Sequence, residues 1–244
     1  MKSTAIGSLL VRGLLSGVLA GLVALVVASW LGEPSVGAAI AVEEAAHVND
    51  GGEVELVSRT VQSTWGLLTA LLGFGAAVGG LFGLAYAVAR GRVGIADARA
   101  SAAVLALAGF VTLHLVPFLK YPANPPGVGD PATIGRRSGL YFALVTLSVA
   151  AAVVATWFAR RLTRLAVWDR ALIGVGAYGV LVLAAMVVLP PVDEVGSDFP
   201  ADVLWDFRTG SLATQLAVWA SLGFIFGWLT HRSSRSAIRT RARS

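Results

Sequence analysis

The chain has 244 residues, of which 56% are hydrophobic and only 14% charged, with a formal net charge of +5 and no cysteine. Its mean hydropathy is +0.75, which excludes an ordinary soluble enzyme. The missing cysteines exclude a disulfide framework, a thiolate metal site and a cysteine nucleophile.

Charge-free stretches come in chain order at Gly13–Gly32, Thr60–Ala89, Ala100–Leu119, Ser138–Ala159, Ala171–Val192 and Thr209–Thr230. At 1.5 Å per residue each is long enough to cross roughly 30 Å of hydrocarbon. The fold class predicted is all-α: a polytopic membrane bundle of six transmembrane helices over about 13–32, 65–89, 100–119, 139–159, 171–190 and 210–230. Residues 1–231 form a single bundle on this reading, and 232–244 a basic cytoplasmic tail. The first stretch is longer than the apolar region of a signal peptide and is read as a span.

Lysine and arginine alternate strongly between successive loops. One side carries 14 of the 19 basic residues and only two acids, Asp97 and Asp169; the other carries five basic residues and the remaining 12 acids. The two faces thus differ from about +12 to −7, which places both termini in the cytoplasm. The basic tail reads as a topology signal that touches anionic lipid, not as a nucleic-acid site.

The first span holds Gly13-x-x-x-Gly17-x-x-x-Gly21 and the second Gly75-x-x-x-Gly79-x-x-x-Gly83. Small residues four apart make a flat face for close approach in lipid, so the two rows are expected to pack together or to form a homo-oligomer seam. The first outer segment follows, with Glu43, Glu44 and His47 at helical spacing, flanked by Glu33, Asp50, Glu53 and Glu55. Carboxylate and imidazole ligands at i, i+3 and i, i+4 suit cobalt, nickel or zinc, and a solvated acidic helix is the plainer alternative.

His114 lies inside the third charge-free stretch, about 7 Å from its outer end. It is either part of a metal or proton site or a histidine hydrogen-bonded to a neighbouring backbone. Outward helices are expected to end at Glu33-Pro34, Val116-Pro117 and Pro190-Pro191. Returning helices are expected to begin after Arg59-Thr60, Arg137-Ser138 and Arg208-Thr209. That pattern suggests three hairpins related as a parallel repeat. A cation at a helix N-terminus opposes the dipole, so Arg59, Arg137 and Arg208 should form an outer charge network with acids such as Asp130 and Asp206. Gly174-Val-Gly-Ala-Tyr-Gly179 spells a dinucleotide fingerprint but sits in an apolar run without a strand, so it is read as helix packing. No nucleophile, base and orienter cluster is present, no resident cofactor is expected, and the chain is read as a non-enzyme.

The segment from His114 through Pro117, Tyr121, Pro125-Pro126 and Asp130 to Arg137 resembles CbtA, a family of predicted cobalt transporter subunits. So do Gly32-Glu33-Pro34 with Glu43-Glu44, and Phe199-Pro200 with Trp205-Asp206 and Arg208. The resemblance implies a bacterial or archaeal inner-membrane protein that takes cobalt ion as substrate and works with a small single-helix, histidine-rich partner, CbtB. On that basis the expected route is capture at Glu43, Glu44 and His47, passage by Glu33 and the Pro117–Pro126 loop, and admission at His114. The alternatives are a permease for another divalent ion such as nickel, and a non-transporting scaffold or metal sensor.

Overall fold

A computed structural model describes residues 2–46, 57–92, 94, 95 and 97–241. Every regular element among them is helical: α1 (Lys2–Val27), α2 (Glu33–Ala46), α3 (Arg59–Val61), α4 (Leu67–Ala89), α5 (Ala98–Phe110), α6 (Val116–Lys120), α7 (Ile134–Arg161), α8 (Val167–Val188) and α9 (Ala201–Arg241). Three π-helical turns, Ala28–Gly32, Gln62–Gly66 and Val111–Leu115, join α1 to α2, α3 to α4 and α5 to α6. Six helical stretches are long and apolar enough to cross a membrane: Ile6–Ala45, Arg59–Ala89, Ala98–Lys120, Pro131–Arg161, Val167–Val188 and Ala201–Ser233. Helices satisfy every backbone group internally, which is what hydrocarbon demands of a spanning segment. The chain is a multi-pass membrane protein.

The helix ends depart from the expected ones for identifiable reasons. Pro34 does not end the first span, which continues through α2 to Ala46. A proline ring would clash with the carbonyl four residues back, and the π turn Ala28–Gly32 immediately before it widens the backbone and relieves that clash. The same device recurs at Pro117, which follows the π turn Val111–Leu115 and lets the helix run on to Lys120. Only Pro190 terminates its helix as expected: Leu189 before it is extended, at φ −73° and ψ 139°, as the residue before a proline prefers.

Two returning helices also begin before their arginines. α7 is entered through Asp130, whose carboxylate accepts from Ala132 N–H at 2.8 Å ahead of Pro131; an acid cap with proline at the first helical position is a strong start. Arg137 therefore stands one turn inside its helix. Arg208 is two turns inside α9, and only Arg59 opens a helix. α9 runs on through the basic segment to Arg241, about 60 Å of helix in all.

The chain divides into two compact units: Met1–Gly109 with Pro200–Ser244, and Phe110–Phe199. In the first, α1 lies along α4 and α9. Its interior holds Ala20, Ala24, Val218, Leu222 and Phe226, with Phe226 edge-on to Phe82 (5.1 Å) and Tyr86 (4.9 Å). In the second, α7 packs on α8 and on the end of the third span, around Val116, Tyr121, Leu144, Ala151 and Val182.

Candidate metal-ion site

His114 is set by its π turn. Its ring lies between Phe110 and Phe118, one turn away on either side, with centroids 6.1 and 5.6 Å distant. Its Nε2 is buried and has no hydrogen-bond partner among the described residues. A buried polar atom without a partner is costly, so this nitrogen carries an unmet bonding demand inside the span. Pro117, having no N–H, also leaves the Leu113 carbonyl without its usual helical donor; the Tyr141 hydroxyl stands 3.5 Å from that oxygen.

Just beyond the third span, Tyr121 donates to the Pro190 carbonyl at 2.7 Å. Burial pushes its phenol above the ordinary value of 10.0, opposed by the nearby Arg136 charge. Glu194 accepts from Thr133 Oγ1 at 2.8 Å and pairs with Arg137 Nε at 3.0 Å, while Arg137 also donates to the Asp130 carbonyl at 3.3 Å. Gly129, at φ +102°, is the position where this cluster tolerates no side chain. A Cβ there would lie 2.9 Å from Glu194 Oε2, in a backbone region only glycine enters readily.

In the first unit Glu33 and Arg59 form an ion pair. Arg59 therefore meets its compensating anion at the helix start, and Glu33 is engaged by a cation that belongs to the protein. Arg137 finds an anion too, but it is Glu194, a residue 57 positions away that sequence spacing does not single out. Asp130 serves mainly as a helix cap. Asp206 is exposed on α9, and Arg208 is half-buried beside Thr209. Glu43 is half-buried and Glu44 exposed on α2; His47, with Asp50, Glu53 and Glu55, lies outside the described residues. Among the described residues no three His, Cys, Asp or Glu side chains are grouped to share a metal ion. His114 thus belongs to no such group among the described residues.

The two glycine rows meet. A Cβ on Gly13 or Gly17 would collide with the carbonyls of Gly79 and Gly75, and one on Gly75 or Gly79 with those of Gly17 and Gly13; on Gly21 it would lie 2.5 Å from Leu71 O, and on Gly83 2.5 Å from Leu9 O. α1 and α4 therefore touch backbone to backbone over their glycine faces. Three further close approaches were not expected from the sequence: Gly109 on α5, where a Cβ would collide with the Trp219 ring of α9, Gly210 on α9 against Leu31 O of the first π turn (2.7 Å for a Cβ), and Gly223 on α9 against the Ala106 methyl of α5 (2.6 Å for a Cβ). Gly223 does stand in a four-residue row, with Gly227, where a Cβ would lie 3.1 Å from Arg99 Cα of α5; Gly109 and Gly210 stand in none. Gly174, Gly176 and Gly179 lie within α8, in an apolar helix and not at a strand-to-helix turn.

A family model described as a probable cobalt transporter subunit (CbtA) matches residues 6–231, almost the whole chain. No curated protein matches the chain, and no solved structure does.

Proposed function

We propose, since the chain belongs to the CbtA family of probable cobalt transporter subunits, that it is the membrane-spanning component of a cobalt uptake system. Family membership carries the substrate, and the buried, unpartnered Nε2 of His114 supports a ligand position within the third span. Oxygen and nitrogen donors suit cobalt or nickel, and with no thiolate in the chain a soft ion such as Cu(I) is disfavoured. Glu43 and Glu44, with His47, concentrate the cation at the acid-bearing face. Glu33 takes part once Arg59 swings away, so the ion pair is a competitor that an arriving divalent ion must displace.

A single imidazole does not replace a hydration shell. The other ligands come from backbone carbonyls, water, Thr112 or a small histidine-rich CbtB-like partner. The lysine and arginine distribution supports cytoplasmic termini in a bacterial or archaeal inner membrane, and the recurrent arginine–hydroxyl pairs support a three-hairpin parallel repeat. Inward movement of two positive charges then gains about 4.6 kcal/mol per 100 mV of membrane potential. The incomplete sphere at His114 also favours a second reading, a scaffold or metal sensor that serves a separate transporter.

Elemental mass spectrometry of cobalt-uptake-deficient cells tests the proposal. Expression of this chain with its partner is expected to raise cellular cobalt, His114→Ala to lower it several-fold at equal membrane level, and His231→Ala to leave it unchanged. Full accumulation by His114→Ala removes that residue from the path. Saturable cobalt flux in liposomes excludes the scaffold.

A further inference from the structure

The turn between α7 and α8 gathers charge that metal transport does not use. Four arginines, Arg160, Arg161, Arg164 and Arg170, fall within eleven residues that contain one acid, Asp169. The chain reverses over Leu162–Ala166, closed by bonds from Leu162 N–H to Ala159 O (3.3 Å), Leu165 N–H to Leu162 O (3.1 Å) and Arg170 N–H to Ala166 O (3.1 Å). Four cations are thereby held in one small region against their mutual repulsion, without an ion pair to any acid among the described residues. Arg160, Arg161 and Arg164 are at least partly open to the surroundings, and Arg170 Nε is buried without a hydrogen-bond partner. The basic end of the first unit differs: there His231 stands 3.9 Å from Asp97, and Arg92 donates to the Val88 carbonyl.

Aromatic surface frames the cluster. The Arg161 guanidinium sits 4.8 Å over the Trp157 ring, Trp157 is 56% exposed, and Trp168 and Val167 across the turn are 80% and 70% exposed. Tryptophan places its ring at the headgroup level of a bilayer, and guanidinium matches phosphate geometry with paired donors. A ligand that answers both features is anionic at one end and apolar along the other. A soluble anion would use the arginines and leave Trp168 and Val167 unexplained.

We propose that the α7–α8 turn is a binding site for an anionic phospholipid, its phosphate taken by guanidinium groups from Arg160, Arg161, Arg164 and Arg170 and its chains lying along Trp157 and Trp168. Native mass spectrometry of the full chain, released from micelles containing equal phosphatidylglycerol and phosphatidylcholine, tests it. The chain is expected to retain phosphatidylglycerol preferentially, and the triple variant Arg160→Gln, Arg161→Gln, Arg164→Gln to lose at least about tenfold of it, as three interfacial cations warrant. The pair Arg90→Gln, Arg92→Gln is expected to retain it in full. Should the triple variant lose its helical circular dichroism, Arg164→Gln alone is expected to give a smaller loss in a folded protein. Equal retention of the two lipids, undiminished retention by the folded arginine variants, or displacement by millimolar inorganic phosphate would overturn the site.

Discussion

In the unit formed by Met1–Gly109 and Pro200–Ser244, α1 and α4 meet through glycine backbones, with carbonyls of one helix where side chains of the other would begin. In Phe110–Phe199 the helices are tied instead by side chains. Ser148 and Tyr178 share a hydrogen bond of 2.8 Å between α7 and α8, Tyr121 reaches the Pro190 carbonyl, and Thr133 and Arg137 converge on Glu194. Most glycines of the second unit's helices are open by contrast: nothing lies within 4 Å of a Cβ at Gly139, Gly176 or Gly179, while one at Gly174 would lie 3.2 Å from the Ala159 methyl. Lipid tails are as apolar as leucine, so burial of apolar surface does not drive helices together there. Close packing and interhelical hydrogen bonds remain, and each unit leans on a different one.

The largest expected effect separates the two directly. Gly17→Leu or Gly79→Leu must push α1 and α4 apart, at a cost of about 3 kcal/mol or more, whereas Gly139→Ala and Gly176→Ala are expected to be near neutral. Thermal unfolding of the purified variants in detergent measures the contrast, and a Gly79→Leu protein as stable as the parent would break it. Hydrogen bonds should weigh less. A double-mutant cycle on Ser148→Ala and Tyr178→Phe is expected to return a coupling of about 0.6 kcal/mol, the typical value between membrane helices; a coupling of zero would reduce the second unit to packing alone.

The smallest effect is the pH dependence of Tyr121. Its folded-state pKa is raised, so the stability it contributes is complete below the ordinary value of 10.0 and is lost as pH rises through the folded value. Unfolding followed on either side of pH 10 should show that loss in the parent and a shallower one in Tyr121→Phe. An identical slope would place the alkaline sensitivity elsewhere.

Particular residues show what was legible beforehand. Glycines four apart announce a face without naming its partner, and here two such rows run along neighbouring helices. Glu33 and Arg59 flank one hydrophilic segment, so their pairing lies within reach of a local reading. Glu194 is a different case, because it reaches Arg137 only once α7 and α8 have packed, and no spacing encodes that. Prolines misled in a regular way: Pro34 and Pro117 are helix breakers by rule, yet each follows a π turn that removes the clash. Gly223 and Gly227 form a third such row, legible in the sequence, that packs on α5, whereas Gly210 stands in no row and meets a carbonyl of the first π turn.

Sequence alone determined the six apolar spans and the all-helical class, because hydropathy over some twenty residues is a local sum and hydrocarbon permits few backbone solutions. The motifs around Glu33, His114–Arg137 and Phe199–Arg208 also carried the family. Tertiary structure alone decided that Glu194 answers Arg137, that Tyr121 closes on Pro190, and that the imidazole nitrogen of His114 is buried with no partner among the described residues. These are pairings between distant positions, set by which helices pack and where π turns rotate their faces, and a periodic pattern along one helix holds no record of them.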